Sequence, residues 1–196
     1  MRPRSSLGLP PPDLGEFPVY YLQETEILAR IHRADRQTCF YSSDGSGRFD
    51  LAAPLGTCYV GDGPLASFVE VFREAAVVAE SFVMTKELSL LRPRVQVRLA
   101  DLAHPRSRRF GVTGEVHTTT DYETTQAWAG ALHRAGFDGV RYRVRHDPAQ
   151  DLVGIALFGS AGVHDESLVT VTKSPIPASL IAEAWDRFGI VVLPVP

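Results

Sequence analysis

Four polar residues stand where an apolar core alone would not put them. Arg30 lies within the run LARIHR, Arg48 sits in GRFD, Tyr59 in GTCYVG, and Glu70 interrupts the apolar helix-like segment PLASFVEVF. Arginine carries five donors in a rigid fork, so Arg30 and Arg48 suit a phosphate or carboxylate. Arg30 equally suits a surface ion pair at a strand end. The glycines around Arg48 let the backbone turn and expose amides to an anion, though the same composition makes an ordinary loop. Tyr59 offers a flat face to a planar ligand, or packs as a core aromatic with its hydroxyl satisfied locally. Glu70 lies among Phe68, Val69, Val71 and Phe72. A carboxylate in such company needs a cation, a ligand hydroxyl or a raised pKa, unless it snorkels from the helix margin.

Other chemistries have less support. The chain has no G-x-G-x-x-G after a strand, no P-loop, no H-E-x-x-H and no G-x-S-x-G elbow. Its histidines, His32, His104, His117, His133, His146 and His164, are scattered without metal-ligand spacing, so no metal is expected. GSAG at Gly159–Gly162 reads as a turn that only imitates a phosphate loop.

The elements that must carry these residues follow from hydrophobic period and turn chemistry. Val19–His32 is extended with a break at Gln23–Glu24, and Gly56–Gly61 is a short strand. Pro64 opens a helix whose apolar face runs through Leu65, Phe68, Val69, Phe72, Ala75, Ala76 and Ala79. Val95–Leu99 alternates as a strand, and Asp101–Arg109 reads as a loop. Asp121 caps a helix that Gly136 ends. Asp138–Arg143 and Leu152–Phe158 are strands joined by RHDPAQ. A strand at Leu168–Thr172, a helix at Pro177–Phe188 and a strand at Ile190–Leu193 complete the chain. Strands and helices mix without regular alternation, which predicts an α+β fold.

With 196 residues, 44% hydrophobic and 22% charged, the sequence predicts one globular domain over residues 21–196 behind a proline-rich arm at 1–20, flexible or extended. A net charge of -3 gives no electrostatic reason to expect a nucleic-acid or anionic-membrane partner. No apolar run reaches the roughly 18 residues of a membrane span. Cys39 and Cys58 make neither a disulfide framework nor a C-x-x-C pair, so a reduced, cytoplasmic setting is expected.

Taken together, LARIHR, GRFD, GTCYVGDGPLASFVEVF and FDGVRYRVRHDP followed by VGIALF resemble the RES-domain family over roughly Thr25–Phe158. Arg48 to Tyr59 and Tyr59 to Glu70 are each 11 positions apart. The resemblance implies an ADP-ribosyltransferase-type fold with a cleft for NAD. It also implies a bacterial toxin that cleaves the nicotinamide–ribose bond and passes ADP-ribose to inorganic phosphate. NAD would be substrate and phosphate co-substrate, with no prosthetic group, and a helix-turn-helix antitoxin would be the protein partner. Glu70 would then be the catalytic carboxylate, Arg30 and Arg48 would hold the diphosphate or the incoming phosphate, and Tyr59 would stack near the nicotinamide. His32, Tyr142 and Val144 are the remaining positions expected at the substrate. The family's serine falls in register at Val144, which donates no hydrogen bond, and this predicts weakened or redirected turnover. Water or a protein as acceptor, and a non-catalytic or biosynthetic NAD-binding protein, are the alternatives.

Overall fold

The computed structural model describes residues 7–72, 76–163 and 168–194. The first six residues of the expected arm, Ala75 and His164 lie outside them. In chain order the elements are strands β1 (Val19–Leu22), β2 (Leu28–Arg33), β3 (Phe40–Tyr41) and β4 (Leu55–Gly61), then helix α1 (Pro64–Phe72). Next come β5 (Val77–Ala79), α2 (Glu80–Val83), β6 (Lys86–Pro93), β7 (Val97–Asp101), a 3-10 turn at Pro105–Phe110, α3 (Glu115–Thr118) and α4 (Tyr122–Arg134). The rest is β8 (Gly139–Arg143), β9 (Val153–Ser160), β10 (Gly162–Val163), β11 (Leu168–Pro175), α5 (Ala178–Phe188) and β12 (Val191–Leu193).

Eight strands form one mixed sheet in the order β1-β7-β8-β9-β4-β2-β6-β11, in which only β7 and β8 run parallel. Two-strand pairs, β10 with β3 and β12 with β5, lie beside it. The fold is therefore the α+β arrangement expected. Central β9 is buried over Val153–Leu157, the continuous apolar run of a strand covered on both faces. Edge strand β11 is mostly exposed and carries Lys173, which pairs with Glu87 at 2.6 Å and so marks the edge with charge.

One join in this sheet matters most. β4 is registered against β9 at seven consecutive positions, from Leu55↔Ser160 to Gly61↔Gly154. Against β2 it has the single pair Ala29↔Gly61. Beyond that pair β2 and β4 part, and the sheet opens between Arg30–Ile31 on one side and Tyr59–Val60 on the other. Helix α1 crosses the closed end. Ser67 Oγ donates to the Ala29 carbonyl at 2.6 Å, and a Cβ on Gly61 would stand 2.9 Å from Ala66 Cβ and from Ser67, so only glycine admits the helix this close.

Three expectations change. The stretch read as an arm ahead of the fold packs into it, because Leu7, Leu14 and Phe17 join Trp128 and Phe137 in one core cluster and Trp128 Nε1 donates to the Gly8 carbonyl at 2.8 Å. Burying three large apolar side chains outweighs the missing regular structure. The helical face expected to run on to Ala79 does not reach it, because Val77–Ala79 pairs in parallel with β12, where β-branched Val77 and Val78 fit a pleated strand better than a helix. The loop expected at Asp101–Arg109 contains a 3-10 turn capped by His104 Nδ1, which accepts from Arg106 N–H.

Candidate active site

The opening between β2 and β4 is a cavity of about 290 Å³. Arg30, Arg48, Tyr59, Glu70 and Tyr142 all line it, with Asp50, Ser42, Ser46, Ser67, Val71 and Tyr122 among their neighbours. Residues as far apart in sequence as Arg30 and Tyr142 thus share one surface.

The loop before β4 is held by side chains more than by backbone pairing. Thr125 Oγ1 donates to the Arg48 carbonyl at 2.6 Å, and Gln126 Nε2 donates to the carbonyls of Gly45 and Gly47 at 2.9 Å each. Both come from α4, whose start is fixed by Asp121 accepting from Thr124 N–H. Thr57 Oγ1 donates to the Phe49 carbonyl and accepts from Leu51 N–H. These bonds fix Arg48 at 7% exposure, with Nη1 donating to the His117 carbonyl and Nε buried without a partner. No ion pair of Arg48 exists among the described residues.

His117 itself is buried, and burial first, then the Arg48 and Arg143 guanidiniums, push it down to about 4. It is therefore neutral at pH 7, and its Nδ1 accepts from Arg143 N–H. The fold keeps a second positive charge away from Arg48.

Asp50 falls outside the sequence expectations and ties this loop to β4. It is 4% exposed, and burial raises its pKa. Its Oδ2 accepts from Gly47 N–H at 2.9 Å, and its Oδ1 accepts from the Tyr59 hydroxyl at 2.8 Å. That hydroxyl accepts in turn from Phe49 N–H at 2.8 Å. Burial foremost, and Asp50 after it, raise the Tyr59 phenol well above its ordinary value, so it stays protonated. A Cβ on Gly47 would meet Asp50 Oδ1 at 2.3 Å and the Tyr59 hydroxyl at 2.5 Å, which explains the glycine before Arg48. A signal for Asp50 did exist, an acid placed between Phe49 and Leu51, but its partner Tyr59 lies on the next strand.

The opposite wall is simpler. Arg30 projects from β2, and its Nη1 donates to Cys58 Sγ at 2.6 Å and to the Phe40 carbonyl at 3.3 Å, bridging the parted strands. Burial pushes the Cys58 thiol up, and the Arg30 charge opposes it in part. Glu70 is half-buried on α1, one turn after Ser67, and lines the cavity from above the apolar face of Leu65, Phe68, Val69 and Phe72. Tyr142 packs its ring 5.0 Å from Phe49 and fits because Gly154, its cross-strand partner, has no Cβ to strike the ring.

Two predicted substrate positions do not line the cavity. His32 packs toward β6, where Nε2 lies 2.9 Å from Ser89 Oγ and Nδ1 2.9 Å from the Arg33 carbonyl; a carbonyl only accepts, so Nδ1 carries the proton and Nε2 accepts from Ser89. Burial lowers its pKa accordingly. Val144 is fully buried in the cluster that contains Phe68, Leu180 and Ala184. GSAG ends β9 and begins β10, with Gly162 at φ +109, outside the cavity. Among the described residues no group of three or more His, Cys, Asp or Glu could hold a metal ion, and no helix is long and apolar enough to cross a membrane.

A mixed sheet parted over a cavity that two arginines, two carboxylates and three tyrosines line belongs to the class of α+β domains with a polar cleft inside the sheet. The chain belongs to the RES-domain family, whose model matches residues 27–178 and so includes Arg30, Arg48, Asp50, Tyr59, Glu70 and Tyr142. Its fold is shared with a chain of the crystal structure of the M. tuberculosis MbcT-MbcA toxin-antitoxin complex, with a TM-score of 0.64 at 20% identity over 83% of this chain and 90% of that one. No match exists among curated proteins.

Proposed function

We propose that this protein cleaves the nicotinamide–ribose bond of NAD and transfers ADP-ribose to inorganic phosphate, as the toxin of a toxin–antitoxin pair. The observation that carries the reading is the gathering of Arg30, Arg48, Tyr59 and Glu70 around one cavity at the parted strands. The cavity stands at the lower end of ligand-pocket sizes, suited to the nicotinamide riboside end of a dinucleotide whose remainder lies across the mouth.

Breaking the glycosidic bond builds positive charge on the ribose, and a carboxylate beside it stabilises that charge; Glu70 supplies one. The ring leaves as neutral nicotinamide, so the departure needs neither a metal nor an acid. The attacking phosphate and the NAD diphosphate are anions, and Arg30 and Arg48 hold such groups without exchanging protons. Arg48 brings a fixed guanidinium charge to the cavity wall for such an anion. Val144 has no part in this chemistry, because its buried position presents nothing to the cavity. An antitoxin of helix-turn-helix type, in a cytoplasmic setting, would be the partner. The fold shared with a chain of a toxin–antitoxin complex supports that assignment.

Incubating the purified protein with NAD, with and without phosphate, tests the reading. Nicotinamide release that depends on phosphate is expected; release that ignores phosphate makes water the acceptor, and no release in either condition sinks the enzymatic reading. Replacing Glu70 by Gln keeps shape and removes charge, and should slow release about 1000-fold with the circular dichroism spectrum unchanged.

A further inference from the structure

We infer that Asp50, acting through Tyr59, selects a positively charged nicotinamide ring over the neutral, reduced ring of the same shape. The inference rests on the cavity holding the nicotinamide end of the substrate.

The Tyr59 hydroxyl has one proton and gives it to Asp50 Oδ1, while its oxygen takes Phe49 N–H. The hydroxyl is thereby occupied, and what Tyr59 offers the cavity is its ring. An aromatic face attracts cations through its quadrupole, and a phenol that donates its proton to a carboxylate has a more electron-rich ring than a free phenol. Asp50 is itself fixed in place, because Gly47 N–H holds its second oxygen, and at 4% exposure its charge is screened little by solvent. Asp50 and Glu70 line the cavity beside Arg30 and Arg48, so what favours a cation at this spot is the carboxylate placed behind the Tyr59 ring and not the net charge of the lining.

Oxidised nicotinamide carries a formal positive charge on its ring nitrogen and the reduced form carries none. Their sizes are nearly equal, so shape cannot separate them and charge can. As the glycosidic bond breaks, the ring becomes neutral and the charge passes to the ribose beside Glu70. Asp50 therefore strengthens binding of the intact substrate and loosens its hold once nicotinamide has formed. It is a positioning residue, since it acts on the ligand through Tyr59.

The test uses a carbocyclic analogue of NAD, whose ring cannot be released, in oxidised and reduced forms, titrated by calorimetry into the full chain. Wild type should favour the oxidised form, and Asp50→Asn should reduce that preference by about fivefold, the size of a partly desolvated cation–π contact. Tyr59→Phe keeps the ring, loses the bond to Asp50, and should reduce the preference too; it decides the matter if Asp50→Asn does not fold. In turnover, Asp50→Asn should raise KM and leave kcat unchanged or higher. Equal affinity of wild type for the two forms, no binding of either, equal weakening of both by Asp50→Asn, or a preference that survives both substitutions would each overturn the inference. Oxidised-form preference without nicotinamide release would leave it standing and remove only the enzymatic reading.

Discussion

The two walls of the cavity are built on opposite plans. On the Arg48 side, Thr57, Thr125, Gln126 and Asp50 take up the polar groups of residues 45–51 one by one, and the atom left over is Arg48 Nε. On the Arg30 side a strand and a helix supply the scaffold, Ser67 ties the helix to the strand backbone, and Arg30 and Glu70 extend from regular elements. A loop needs many side-chain bonds to become as rigid as a strand–helix corner, which gets its stiffness from backbone pairing and burial. Preorganised charge is what bond cleavage with charge development requires, and this molecule reaches it twice by different means.

The difference between the walls can be strained first through His117, which sits behind Arg48. Its folded pKa of about 4 lies below its ordinary 6.5, so between those values the unfolded chain binds a proton that the folded chain refuses. The stabilisation is complete above pH 6.5 and is lost as pH falls toward 4, on the order of 3 kcal/mol in all. His117→Gln should flatten that part of the urea-midpoint profile between pH 7 and 4; an unchanged profile would mean that His117 is charged in the fold. Gly47→Ala comes next, because the new methyl group would press on both Asp50 and Tyr59. A loss of about 2 kcal/mol in chemical denaturation is expected, and a neutral result would show that the loop yields more easily than its bonding implies. The smallest effect on stability should come from Arg48→Met. Removing a buried cation that has no carboxylate partner among the described residues trades one carbonyl bond for relief of desolvation, so the melting free energy should move by less than about 1 kcal/mol. Nicotinamide release should nevertheless fall about 100-fold, and retained release would make Arg48 a structural residue.

How far the sequence revealed this division varied with the range of the forces involved. Arg30, Arg48, Tyr59 and Glu70 were visible because each is polar in apolar company, and all four line the cavity. The α4 start was visible because Asp121 caps it within three residues. Asp50 was only half legible, since an acid between Phe49 and Leu51 is a signal, yet in a Gly-rich turn it reads as solvated until its bond to Tyr59 is known. His32 shares the alternation of Arg30 on β2, yet the strands part beside Arg30 while β2 stays paired to β6, which takes His32 to Ser89 instead. Strand β6 itself, KELSLLRP, has no clean alternation, because adjacent Leu88 and Ser89 are both buried between β2 and β11. The amino-terminal stretch carries too few apolar residues to show a period, and its place depends on a pocket around Trp128 that other segments build.

That docked stretch gives the molecule an optical asymmetry. Trp128 is fully buried and donates its indole proton to Gly8, while Trp185 on α5 is 57% exposed. Intrinsic emission therefore has a blue component tied to the seating of the first described residues and a red one belonging to the α5 surface. Detachment of the amino-terminal segment can be followed separately from global melting, without an attached dye.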